Sequence, residues 1–201
     1  MAASPPKLSV WERTSRRIQS EAMRIFLEKG YENSTVEEIA AAAGVSSMTV
    51  FRHFSSKEKL VLTAPRFDQS FHRLVAERPA TESALDSVFF GITSMFHGVT
   101  ELDLALSKQR WTVIFSSPTL EPAVATKTGL TINAVEEALW TRGGFSEGSR
   151  LPRIAARLAL TIMNESLRTW VSSDPPIRLI DSIRTTWEAA GQMPITTAQR
   201  V

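Results

Sequence analysis

The stretch from Ser34 to Leu60, STVEEIAAAAGVSSMTVFRHFSSKEKL, constrains the fold more than any other part of the 201-residue chain. Thr35 stands three residues before Glu38, the spacing of a capping box, in which a hydroxyl and a carboxylate satisfy the free amides of a helix start. Val36, Ile39, Ala40 and Ala43 then recur at helical intervals. Their small side chains let a second helix approach closely. Gly44 supplies the positive φ that a sharp turn requires. Ser46 is placed to cap a third helix, and Val45 with Val50 have the spacing of a hydrophobic staple across that cap. The predicted third helix is short, from Ser47 to His53. On a helical wheel Val50 and Phe54 point to one side and Met48, Thr49, Arg52 and His53 to the other, with Ser47 and Phe51 near the borders. A short helix with a polar, weakly basic outer face after a tight glycine turn has the helix-turn-helix arrangement, whose second helix enters the major groove.

The flanks are helical too. Helix one is predicted from Thr14 or Ser15, with Ile18, Ala22, Ile25 and Phe26 on one face and Gly30 closing it. A fourth helix is predicted after Ser55, whose spacing to Glu58 makes another capping box. Longer helices follow over Lys57 to Glu77, Thr81 to His97, Glu101 to Phe115, Leu120 to Arg142, Leu151 to Val171 and Pro176 to Ala190. Turn residues in ERPA, HGVT, SSPT, RGGF and SSDPP separate them. The expected fold is all-α, with about nine helices and no sustained strand alternation.

With 43% hydrophobic and 22% charged residues the composition is that of a folded globular protein. There is no cysteine, which excludes disulfides, thiolate zinc sites and a cysteine nucleophile. No apolar run is long enough to span a bilayer, and the opening MAASPPKLSVWERTSRR lacks the apolar stretch of an export signal. The expected compartment is the cytoplasm. Residues 1–60 carry nine Lys and Arg against seven Asp and Glu, while the rest of the chain is balanced, so the net charge of +2 lies at the N-terminal end. The three histidines, His53, His72 and His97, are far apart, and neither HExxH nor GxGxxG occurs. Catalysis is not expected, no metal or catalytic residue is assigned, and no cofactor is called for.

The stretch RRIQSEAMRIFLEKGYENSTVEEIAAAAGVSSMTVFRHFSSKEKL resembles the N-terminal DNA-binding domain of TetR-type bacterial transcriptional regulators. The resemblance runs in order and without gaps over roughly Thr14 to Leu62. It implies residues 1–58 as a three-helix DNA-binding domain and residues 59–201 as a helical ligand-binding and dimerisation domain. It further implies a homodimer that offers two helix-turn-helices to a palindromic operator, most often as a repressor released by a small molecule. On the family pattern Thr35, His53 and Lys57 touch phosphates, and Ser46, Ser47, Met48, Thr49 and Arg52 face bases or adjacent backbone. Phe51 stands where the family most often has tyrosine, which removes a phosphate-bonding hydroxyl. The physical roles agree: a Lys57 ammonium attracts phosphate, Arg52 can pair bidentately with guanine, and Met48 with the Thr49 methyl suits thymine methyls. Lys7, Arg13, Arg16 and Arg17 are candidates for further phosphate or minor-groove contacts, or for a merely solvated helix end.

Farther on, Leu151, Ala155, Leu158 and Ile162 form one stripe of a helix, and Ala159, Met163, Leu167 and Trp170 a second. Ile180, Ile183 and Trp187 follow beside Leu179. Helices apolar on two sides need two partners, and in TetR-like proteins the last two long helices commonly form the dimer interface. Leu158, Ile162, Leu167, Trp170, Ile180, Ile183 and Trp187 are therefore the candidate dimerisation residues. Phe89, Met95, Phe96, Trp111, Ile114 and Phe115 are candidate walls of an apolar effector pocket, with His97, Arg110, Asn133 and Asn164 as polar anchors. The expected effector is small and hydrophobic. The stretch FDQSFHRLVAERPATESALDSV is faintly similar to family members proposed to sense acyl-CoA-like ligands. Pro65 interrupts a helix that the family usually continues, so a kink near Ala64 and Pro65 is expected. Two other readings stand beside this one: a DNA-binding regulator without a small-molecule ligand, and a helical protein-interaction module that has lost operator binding.

Overall fold

The computed structural model describes residues 9–63, 71–96 and 99–192. Ten α-helices, and no strand, occur among them. They fall into two compact units, one holding the described residues 9–63 and 100–124, the other 71–96, 99 and 125–192.

The first unit begins with α1, Val10–Lys29. It starts a turn earlier than periodicity predicts, because Ser9 and Glu12 form a capping box: the Glu12 amide donates to Ser9 Oγ at 3.1 Å and the Ser9 amide to Glu12 Oε2 at 2.8 Å. Gly30, at φ 84°, ends the helix and donates its N–H to the Phe26 carbonyl. Next come α2 (Val36–Ala42), α3 (Ser47–His53) and α4 (Lys57–Leu62). The α2 capping box is present as expected, with Thr35 Oγ1 accepting from the Glu38 amide. Ser46 caps α3 through the Thr49 amide. The cap of α4 is Ser56, which accepts from the Lys59 amide, rather than Ser55. Its helix is also short, since Thr63 is extended, so the predicted run from Lys57 to Glu77 is not continuous. The kink proposed at Ala64 and Pro65 lies outside the described residues.

Apolar burial holds this unit together. Ile18, Ala22, Ile25 and Phe26 of α1 meet Val36, Ile39 and Ala40 of α2, Val50 of α3, and Leu60 and Val61 of α4, all buried. Val113 and Ile114 of α7, Glu101–Ser116, complete the same core. Polar ties fix α7 in place: Arg16 pairs with Asp103 at 3.4 Å, and Ser117 Oγ donates to Glu32 Oε1 at 2.5 Å. Gln19 Nε2 donates to the Leu60 and Thr63 carbonyls at 3.1 and 2.7 Å, so α1 satisfies the open end of α4.

The second unit comprises α5 (Phe71–Ala76), α6 (Ala84–Ser94), most of α8 (Glu121–Arg142), α9 (Leu151–Ser172) and α10 (Leu179–Gly191). Gly91 lets α6 approach α5, since a Cβ there would lie 2.8 Å from Val75 Cγ2. Arg142 is buried, and its Nη1 donates to the Glu82 and Ser83 carbonyls at 3.0 and 3.2 Å and to Ser87 Oγ. That tie anchors the end of α8 on the start of α6. The α9 and α10 helices pack on each other, with Ser182 Oγ donating to the Ser166 carbonyl at 2.7 Å inside the contact. Ile162, Leu167, Trp170 and Ile183 are buried within this unit, so most of their apolar surface is used in the protomer's own packing.

Candidate nucleic-acid interface

The outer face of α3 is built by its inner one. Val50 and Phe54 are buried and fix the rotation of the helix. The opposite side then faces outward: Met48 is 77% and Phe51 46% exposed, and Arg52 is exposed. Phe51 does not pack into the core. Gly44 sits at φ 61°, in the left-handed region, and turns the chain from α2 into α3. Ser46 Oγ also lies 3.0 Å from Thr49 Oγ1, tying two candidate contact residues together. Ser47 is half-buried beside them.

His53 and Lys57 have partners. The His53 ring stacks on Trp11 of α1, centroids 3.6 Å apart and planes 18° off parallel, and its Nδ1 shares a 2.7 Å hydrogen bond with Ser15 Oγ. Burial, and then the Arg52 charge, hold the imidazole below its ordinary value. The Arg52 guanidinium stands 5.9 Å over the same Trp11 ring. Lys57 Nζ is 4.4 Å from the Tyr31 ring centroid, and burial lowers its affinity for a proton while Glu32 and Glu38 raise it. Thr35, the α2 cap, is exposed. Of the basic residues on α1, Arg13 and Arg17 are exposed, and Arg16 is engaged with Asp103; Lys7 lies outside the described residues.

Trp11 and Ser15 are the residues that periodicity misses. They precede the first apolar stripe, and the available signal is the Ser9 to Glu12 capping-box spacing in SVWE, which brings Trp11 into helix and puts Ser15 one turn below it.

The candidate effector residues divide between the two units. Arg110, Trp111, Ile114 and Phe115 lie on α7 in the first. Ile114 belongs to its core, Trp111 stacks on Phe115 at 5.4 Å, and Arg110 is buried with Nη2 3.5 Å from Ser107 Oγ. Ile114 is thus buried among the core side chains of this unit. A small cleft beside Arg110, lined also by Arg16, Gln19 and Asp103, has room only for a water-sized occupant. Phe89, Met95, Phe96, Asn133 and Asn164 lie in the second unit. Phe89 meets Trp187 at 4.9 Å, Asn133 is exposed, and Asn164 Oδ1 accepts from Arg168 Nε at 3.1 Å. His97 lies outside the described residues. Among the described residues no cluster of His, Asp or Glu is arranged to hold a metal, and no helix is long and apolar enough to cross a membrane.

A glycine-turned helix pair, seated on α1 and offering a polar outer helix, defines a helix-turn-helix protein of the transcription-regulator class. Residues 18–64 match the family described as bacterial regulatory proteins, tetR family, and residues 82–191 match the MftR C-terminal domain. The chain belongs to the TetR family, a family of transcriptional regulators and not of enzymes. It is 43% identical over 77 residues to the regulator TcmR of Streptomyces glaucescens, a match spanning 38% of this chain and 34% of TcmR. It is 28% identical over 186 residues to the transcriptional activator FasR of Mycolicibacterium smegmatis, covering 87% of this chain and 82% of FasR. The fold is shared with FadR from Bacillus subtilis, solved with stearoyl-CoA, at a TM-score of 0.55 and 22% identity over 86% of this chain and 95% of that one.

Proposed function

We propose that the protein is a cytoplasmic, homodimeric repressor that reads a palindromic operator with α3 and is released from it by a small hydrophobic effector. The observation that carries this reading is the outward face of α3, where Met48, Thr49 and Arg52 are set by a buried Val50 and Phe54 beneath them. Arg52 and Met48 address bases. Thr35, His53 and Lys57 address phosphates, with Ser46 and Ser47 at the helix start. Phe51 offers an apolar ring in place of a hydroxyl. DNA reading is assigned to residues 1–58, and dimerisation with effector sensing to residues within 59–201.

Dimerisation is assigned to the apolar side chains that α9, α10 and the loop between them leave outside: Leu151, Ile154 and Ile177 are exposed, and Leu158, Ile180 and Trp187 are partly so. The effector is of the acyl-CoA class, on the strength of the shared fold with FadR and the faint sequence similarity over residues 67–88. Coupling requires that it bind the operator-competent and released conformations with different affinities. Activation is a second reading, favoured by the match to FasR, a named transcriptional activator, over most of the chain.

Genomic footprinting followed by titration of the recovered site tests the proposal. A palindromic site bound by a dimer, released by lauroyl- or stearoyl-CoA, is the expected result, and a promoter reporter then separates repression from activation. Only weak binding common to all sequences would overturn it in favour of a protein-interaction module. Operator binding indifferent to every acyl-CoA tried would leave a regulator without that effector.

A further inference from the structure

Trp11 and Ser15 lie one turn apart on the same face of α1 and touch two neighbouring residues of α3. Trp11 covers one face of the His53 ring in near-parallel stacking and reaches the Arg52 guanidinium at 5.9 Å. Ser15 Oγ engages His53 Nδ1 at 2.7 Å. Among the described residues nothing hydrogen-bonds the other ring nitrogen, Nε2. Trp11 itself is half exposed, so packing alone gives little reason to place an indole there.

A neutral imidazole has one N–H donor and one acceptor, and the bond made by one nitrogen decides the role of the other. If Ser15 donates to Nδ1, the ring proton must sit on Nε2. A phosphate oxygen only accepts, so an imidazole meets it through an N–H. The opposite arrangement, with Nδ1–H donating to Ser15, would aim a lone pair at the phosphate and repel it.

We propose that Trp11 and Ser15 are positioning residues for DNA recognition: Ser15 holds His53 in its Nε2–H tautomer and Trp11 holds the ring flat, so that α3 presents a ready donor to a backbone phosphate. This rests on the reading of α3 as the helix that meets DNA. The arrangement makes the first turns of α1 part of the recognition surface without either residue contacting a base. It also explains why Arg52 and His53 share one aromatic support: a single indole restrains two contact residues before DNA arrives, which lowers the ordering cost of binding.

The test uses the full-length protein and its footprinted operator. Ser15→Ala, Trp11→Ala and His53→Ala are each expected to weaken specific binding about tenfold, the scale of one hydrogen bond to a charged group. The Ser15→Ala and His53→Ala losses should not add in the double variant, because both remove the same contact. Trp11→Phe, which keeps a flat ring, should recover most of the affinity. Long-range proton–nitrogen spectra should show the His53 ring, assigned by its loss in His53→Ala, as the Nε2–H tautomer in the free protein, and as a mixture in Ser15→Ala. A purely structural role would not move that ratio. An Nδ1–H ring in the wild type, additive losses, or Ser15→Ala and Trp11→Ala variants that bind like the wild type while His53→Ala does not, would overturn the proposal and leave the regulator reading intact. Failure of the wild type to bind any operator would sink both.

Discussion

Arg52 and His53 are adjacent on α3 yet stand in different surroundings. Arg52 is exposed, and a guanidinium has the geometry to pair with a guanine edge or a phosphate. Arg52→Ala is expected to weaken operator binding by about 1–3 kcal/mol and to relax discrimination at one base pair, which a panel of operator variants would reveal as selective loss. Burial, and then the Arg52 charge, lower the affinity of His53 for a proton. Just below the ordinary histidine value of 6.5, the unfolded chain therefore binds more protons at this residue than the folded one. Its contribution to stability is fully present above that value and is lost as pH falls through the lowered folded value. Thermal unfolding of His53→Asn should accordingly lose less on acidification from about pH 7.5 to about pH 5 than the wild type. An equal loss in both would show that His53 carries no pH-linked stability.

At the scale of the element, the turn between α2 and α3 is conformational rather than packed. Gly44 has φ 61°, and a Cβ built on it meets nothing within 4 Å. Gly44→Val should therefore cost about 1–3 kcal/mol through backbone strain alone, read as a lower urea midpoint with an unchanged slope. A neutral result would mean that the turn relaxes without penalty. This turn and α3 were legible in the chain because their signals are local: a glycine, a serine cap and a staple pair fix both ends of a seven-residue helix. The start of α1 had two competing signals. Apolar periodicity begins at Ile18 and points to Thr14 or Ser15, whereas the SVWE capping box starts the helix at Val10, and the caps prevail. Partners were harder to read than helices. Leu167, Trp170 and Ile183 lie on stripes as suitable for a dimer as for a core, and only the packing of α9 on α10 shows that the protomer buries them itself. The contacts of Trp11 with α3 were illegible for the same reason, since they join residues about forty positions apart.

For the whole molecule, electrostatics sets a prediction that no single contact carries. If several phosphates are neutralised on operator binding, the logarithm of affinity should fall linearly with the logarithm of salt, and each lost charged phosphate contact should lower the slope by about 1. Lys57→Ala tests this, because Lys57 also rests on Tyr31. A weaker affinity at unchanged slope would assign it to packing and not to phosphate. The core of the first unit makes a second prediction. Ile114 of α7 is buried there, and Ile114→Ala should destabilise the protein by about 2–5 kcal/mol with no effector present. An effect seen only as altered effector affinity would instead return Ile114 to a ligand site. That α7 supplies Val113 and Ile114 beneath α1 bears on modular engineering. Joining residues 1–65 to the sensor of another regulator would transplant the reading helices without their floor, leaving greasy surface open to solvent and aggregation. A graft that keeps its specificity should have to carry residues 101–116, although forty places along the chain separate them from α4.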